Sequence, residues 1–287
     1  MYKSANIFIL CLSLFLFSFT DGRKKMNDLE INGIKGKVKT IWSSDYYYLD
    51  SVLMAKDTVR INIAISNYML KTKYNEQGNI LSCEQADGKV TLLNVYDKSG
   101  NKVTCTKFDS EGKLKYSGFN KYDAHANNII ESRGYSLYDD TLNISIVKYK
   151  YDAKGNIIEA DDYNEENKLD NYWKCIYDSK GNKTDEIQYD SKGKFIQKRS
   201  YLYNDKKNIT KMVIDNLKKE DGQDMTITSV YNDNNEEIKR TDFFDMIQVT
   251  RTVSYKREYD KNGNWIKMVG EDDAHEIHVF YRVIEYY

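Results

Sequence analysis

The chain has 287 residues, 30% of them charged, a formal net charge of -1, 25 Tyr and no Pro. Lys and Glu are interspersed, so there is no basic patch for nucleic acid or an anionic membrane to grip. Tyr enrichment favours strands and half-buried packing.

Residues 1–22 read as a secretory signal. Lys3 supplies the positive start, and Ile7 to Phe17 is an apolar run broken by Ser13, with small residues near Ser18 and Thr20 for cleavage. The run is too short for a transmembrane helix. This predicts a secreted, periplasmic or cell-surface protein. Residues 23–33 are polar and are expected to be a flexible start. Ile34 to Ile41 reads as an entering strand continued by Trp42 to Tyr48, Asp50 to Asp57 as a loop or short helix, and Val59 to Tyr74 as a long strand.

From Tyr74 onward the chain repeats. An aromatic followed by Asp or Asn recurs at Tyr151, Tyr163, Tyr177, Tyr189 and Tyr203, with spacings of 12, 14, 12 and 14. Turns of one set read YDxxGN, as at Tyr151 to Asn156 and Tyr177 to Asn182. Turns of the other read YDSxGK, as at Phe108 to Lys113 and Tyr189 to Lys194. The first set opens at 74, 96, 122, 151, 177, 203, 231 and 259, a period of 22 to 29, which signals a repeat architecture. Other slots of the second set fall at Ala86 to Lys89, Tyr138 to Asp140, Tyr163 to Leu169, Asp221-Gly222 and Phe244-Asp245. Asp accepts a backbone hydrogen bond two residues on, and Gly tolerates positive φ, so each slot reads as a hairpin turn. Successive reversals put the two sets on opposite edges of one antiparallel meander.

Period-2 alternation gives one face to Tyr149, Tyr151, Ile158 and Ala160, with Tyr151 expected opposite Ile158. The same offset pairs Tyr96 with Val103, Tyr231 with Ile238 and Tyr259 with Ile266. The other face takes Lys148, Lys150, Glu159 and Asp161. Strands of about 8–10 residues, roughly sixteen of them, make a sheet nearly 80 Å wide that should curl. The fold expected is all-β: an antiparallel meander of YD-type β-hairpin repeats forming one elongated, curled (superhelical) sheet over residues 34–287.

Tyr149 to Ile157, YKYDAKGNI, resembles the YD repeat of the RHS-repeat proteins, and Tyr177 to Lys183 and Tyr259 to Trp265 match similarly. The resemblance covers about residues 68–287. The chain differs from the large RHS proteins in having Asn where they place Arg after the turn Gly, in being too short for their closed shell, and in lacking their core-terminating segment. It is thus similar to small secreted bacterial YD-repeat proteins, a group loosely labelled sugar-binding. That resemblance implies extended β-hairpin structure and an extracellular binding role, and carries over no functional residue.

Chemistry is sparse. His275 and His278 sit at i and i+3, on opposite sides of a strand, which argues against a shared metal. The Asp-rich turns lack the EF-hand and nonapeptide calcium patterns. No nucleophile elbow or phosphate loop occurs. Cys83 and Cys105 occupy equivalent positions two strands apart, beyond disulfide reach; Cys175 shares a face with Trp173 and Tyr177. No cofactor, metal or catalytic role is expected. Two functions remain: a non-catalytic binding module for a glycan or another extracellular ligand, and an assembly protein whose open sheet edges pair with a partner. The expected ligand strip is Tyr149, Tyr151, Trp173, Tyr177, Tyr201 and Tyr203, with Asn171 beside it. The same rings have an alternative role as the core.

Overall fold

The computed structural model describes residues 26–48, 70–124, 128–138, 141–216 and 224–287. The expectations for residues 1–22, for Asp50 to Asp57, for most of Val59 to Tyr74, and for the turns at Asp139-Asp140 and Asp221-Gly222 lie outside the described residues.

One helical turn, α1 (Asp28–Ile31), precedes eighteen strands. The first six are β1 (Val38–Tyr48), β2 (Leu70–Tyr74), β3 (Ile80–Glu84), β4 (Val90–Tyr96), β5 (Lys102–Phe108) and β6 (Leu114–Tyr122). The next six are β7 (Ile129–Tyr138), β8 (Thr141–Tyr151), β9 (Ile157–Tyr163), β10 (Leu169–Tyr177), β11 (Lys183–Asp190) and β12 (Phe195–Tyr203). The last are β13 (Ile209–Asn216), β14 (Met225–Tyr231), β15 (Glu237–Phe244), β16 (Val249–Tyr259), β17 (Trp265–Asp272) and β18 (Ile277–Tyr286). Each strand pairs antiparallel with its neighbour in sequence, and β1 pairs with both β2 and β18.

The expected open, curled superhelical sheet is therefore corrected: the sheet closes into a barrel. Val38 to Tyr48 lies against Tyr286 to Ile277 in reverse order, and Thr40 to Ser43 against Lys73 to Leu70. An all-antiparallel meander closes on itself only with an even number of strands, and eighteen satisfies this. Closure pairs the backbone groups that an open edge would expose. It also removes the free edges on which the assembly reading rested. Eighteen strands about 4.8 Å apart, tilted about 35–45°, give a cylinder about 35–40 Å across.

The barrel has little packed core. Among the described residues only eleven apolar side chains are buried, too few for a filled interior of that width. They gather mainly where the ends meet. Leu29, Ile34, Val38, Ile41 and Tyr74 form one cluster, and Ile277 and Val279 a second. α1 is held there by a capping box between Asn27 and Glu30, and by Asp28, whose Oδ2 accepts the Ile80 N–H at 2.7 Å.

The turns form where the motif places them. Asp152 Oδ1 accepts the N–H groups of Lys154 and Asn156 at 2.9 and 2.8 Å, and Oδ2 accepts Asn156 Nδ2 at 2.8 Å. Gly155 closes the turn at φ +83°, the conformation a Cβ disfavours. Gly155→Val is accordingly expected to destabilise by about 1 kcal/mol or more, and Lys154→Val by much less. Equal melting shifts for the two variants would contradict the turn assignment. The second set has Lys in place of Asn: Asp190 Oδ1 accepts Lys192 N and Lys194 N at 2.9 and 2.8 Å. The Asn of the first set is a buried partner, as at Asn101, Asn156 and Asn264; the Lys of the second is solvated.

These hydrogen bonds hold the Asp152 and Asp178 carboxyls below their ordinary range, chiefly through Asn156 for Asp152 and the Asn182 N–H for Asp178. A folded pKa below the unfolded value adds stability above the unfolded pKa, lost as pH falls through the folded one. The urea midpoint is therefore expected to be lower at pH 3 than at pH 7. An unchanged midpoint would contradict the role of the turn carboxylates.

The expected Tyr pairing is off by one residue. Tyr151 lies opposite Ile157, Tyr96 opposite Lys102, Tyr231 opposite Glu237 and Tyr259 opposite Trp265, with a register shift beside each. A β-bulge follows each turn, so two residues face one Tyr.

Candidate functional site

The wall has two faces. In β10, β14 and β16, and at the end of β12, half-buried and exposed residues alternate near the YDxxGN end of the strand. Trp173, Cys175 and Tyr177 alternate with exposed Lys174 and Ile176, and Tyr255 and Arg257 with exposed Lys256 and Glu258. Side chains converge on the concave side of a barrel and splay on the convex side. The tyrosine face is thus the inner wall, and the lysine face the outer one. On the outer face Lys150 pairs with Glu159 and Asp161, and Lys267 with Glu258.

The rim tyrosines share one task. The β9–β10 ladder ends at Lys174 and Glu159, three residues before Tyr177. Beyond it the strands part into separate turns, and Tyr177 Oη donates to the Ile157 carbonyl at 2.9 Å. The bond recurs from Tyr96 to Ile80, Tyr122 to Lys102, Tyr151 to Ile129, Tyr203 to Lys183 and Tyr231 to Ile209, at 2.7–3.1 Å. Each acceptor is the residue that faces the Tyr of its own hairpin at the bulge. Burial raises the pKa of these phenols, Tyr203 to about 12, so they stay protonated donors at neutral pH.

The six residues nominated from sequence thus divide. Tyr151, Tyr177 and Tyr203 are rim latches whose hydroxyl protons go to backbone carbonyls. Tyr201 is buried, at 6% exposure, and donates to Glu186 Oε2 at 3.3 Å. Tyr149 and Trp173 are half-buried further along the inner wall, both opposite Ala160 on either side of β9.

That row continues Trp173, Gln188, Gln197, Asn216 across β10 to β13. Gln188 Nε2 donates to Asn171 Oδ1 at 3.0 Å, and Gln197 to Asn216. The next row sets Cys175 beside Glu186 and Arg199. The Arg199 guanidinium lies 5.1 Å from the Trp173 ring centre, and Glu186 receives Lys183 at 2.9 Å and Arg199 at 3.6 Å. Burial pushes the Cys175 thiol up to about 11, so it stays protonated and is no nucleophile at neutral pH. The surface offers an aromatic plane, a row of side-chain amides and a fixed ion pair. Glu186, Gln188, Gln197, Arg199 and Asn216 were not singled out from sequence. Their common face follows from the register of three further hairpins, which the Trp173 parity would have extended to them.

A cleft of about 470 Å³ lies at the rim, between α1 and the turns at 75–79 and 97–101, lined by Asn27, Glu30, Asn75, Asn79, Tyr96 and Asp97. Its polar groups are largely engaged: Asp97 holds its own turn, and Asn27 and Glu30 cap each other. Among the described residues no three His, Cys, Asp or Glu side chains are grouped to hold a metal, and no helix is long and apolar enough to cross a membrane.

No family model matches the chain, and no curated protein matches it. Among solved structures it is similar to a porin-like protein from Bacteroides uniformis, with 10% identity, TM-score 0.43, and 86% of this chain and 98% of that one covered. A porin-like protein from Bacteroides vulgatus gives 9%, 0.44, 88% and 99%. The TcdB2-TccC3-Cdc42 structure gives 12% and 0.26, covering 73% of this chain and 15% of that one. At these TM-scores the matches carry no functional argument. The RHS resemblance rests on the turn motif alone.

Proposed function

We propose that the chain is an exported, non-catalytic binding barrel of the YD-repeat type that recognises a glycan on its inner wall. The observation that carries this is the Trp173 surface. A half-buried indole flanked by Asn171, Gln188 and Gln197 offers a flat apolar plane for sugar C–H groups and amides for their hydroxyls, the mix expected of a ligand site. The residues 1–22 reading supplies the export.

The barrel is read as standing in water rather than in lipid. A membrane-spanning barrel turns an apolar band outward, and a Lys at its midplane costs about 2–4 kcal/mol. The outer face carries exposed Lys121, Lys150, Lys174, Lys239 and Lys256 within its strands, interspersed with exposed Val95, Phe119, Ile176, Leu202 and Val230. The inner face, with Glu186, Arg199, Arg240 and Asp242, suits lipid no better.

The test is a glycan array probed with wild type and Trp173→Ala, each melted in parallel. Trp173 is half-buried, so its removal is expected to cost less than the roughly 3–5 kcal/mol of a core Trp, with binding reduced tenfold or more. A folded Trp173→Ala protein with an unchanged array profile removes this surface as the site.

A further inference from the structure

The repeat changes character near the seam. The rim latch to the Glu237 carbonyl is made by Arg257, whose Nη1 donates at 2.6 Å, rather than by a tyrosine. Tyr259 instead donates to Glu236 Oε2 at 2.6 Å. One hairpin further on, no hydroxyl reaches the Trp265 carbonyl among the described residues. There Arg282 stacks on the Trp265 ring, 3.4 Å from its centre.

Arg257 and Arg282 share the inner face. Arg257 lies opposite Met268, which lies opposite Phe280, two residues from Arg282. The other inner-wall cations in this half of the barrel have carboxylates. Arg199 has Glu186, Arg240 has Asp242 at 2.7 Å, and Arg251 has Asp272 at 2.9 Å. Arg257 and Arg282 form no ion pair among the described residues, and Arg282 forms no hydrogen bond to them. Burial, with the Arg257 charge added, lowers the Arg282 pKa to about 10, which still leaves it charged at neutral pH. Tyr74 is the anion-forming group whose field reaches it, but burial pushes that phenol up to about 12, so it is neutral. Glu236, near Arg257, is taken by Tyr259 and by Asn232 Nδ2 at 3.0 Å.

A crowded cation without a counter-charge is costly unless something pairs with it. A guanidinium lying on an indole keeps its in-plane N–H fork free, and that fork matches a carboxylate. We propose that Arg282, with Arg257 beside it, is a receptor on the inner wall for the carboxylate group of a small ligand, with Trp265 as its floor. This site lies on β16 to β18 and does not depend on the Trp173 surface.

The experiment follows the Trp265 indole N–H by NMR in the purified protein while acetate is titrated at low ionic strength. Acetamide, its neutral isostere, and inorganic sulfate are run in parallel. A saturable acetate shift, absent with acetamide and weaker with sulfate, is expected. Arg282→Gln should weaken acetate binding at least tenfold, and Arg282→Lys, which keeps charge but not the fork, nearly as much. If Arg282→Gln does not fold, Arg257→Gln carries the test, with binding weakened at least threefold. An acetamide response equal to that of acetate, or wild-type affinity in the folded variants, overturns the site. Sulfate binding as tightly as acetate overturns its assignment to carboxylates.

Discussion

Ending the chain at Asp272 is expected to abolish the fold rather than shorten it. β18 is hydrogen-bonded to β17 and to β1, so its loss breaks two ladders and frees both edges. It also exposes the partners of Ile277 and Val279, two of the most completely buried side chains, each contributing roughly 1.5–3 kcal/mol. A domain has about 5–15 kcal/mol in total. The truncated chain should show no cooperative melt and a weakened strand spectrum at 25 °C. An open row of independent hairpins would lose only its last unit and melt much as before.

The second large effect concerns the rim. Replacing Tyr151, Tyr177, Tyr203 and Tyr231 together by Phe removes four hydroxyls that bridge neighbouring hairpins where the ladders end. The rings and their packing stay. Each lost bond is worth about 0.5–1.5 kcal/mol, or about 2–6 kcal/mol for four. For a chain of this size that is a fall in Tm of about 5–20 °C. Denaturant titration should show a lower midpoint at an unchanged slope. A variant that melts with wild type would mean that water replaces the hydroxyls without loss.

Much of this fold is local chemistry, and local chemistry is legible. Asp152 and Gly155 announce their turn by residue type, and the alternation of Lys150 with Tyr149 and Tyr151 announces the two faces. Closure was not legible because it depends on Val38 to Tyr48 meeting Ile277 to Tyr286 across the whole chain, and nothing in either segment names the other. The one-residue error in the Tyr151 pairing came from a bulge that leaves no residue signature of its own. The sequence pattern shows the rings of the rim tyrosines, as ligand strip or as core, but not the carbonyls that their hydroxyls reach. Trp173 was found by face parity, whereas Arg199 and Glu186 needed the register of two further strands. Arg257 is the instructive case. Tyr259 keeps the repeat's tyrosine position, so residue types alone do not show that the latch passes to Arg257, two residues earlier.

Closure of the barrel is most directly tested by the distance between its first and last strands. Lys39 on β1 and Glu285 on β18 are exposed, and their side chains meet at 3.3 Å. Spin labels are attached through Lys39→Cys and Glu285→Cys, with Cys83, Cys105 and Cys175 changed to Ala, and their separation is measured by electron paramagnetic resonance. Labels on adjacent strands should lie within about 20 Å of each other. A separation approaching the roughly 80 Å width of an open sheet of these strands would contradict the barrel.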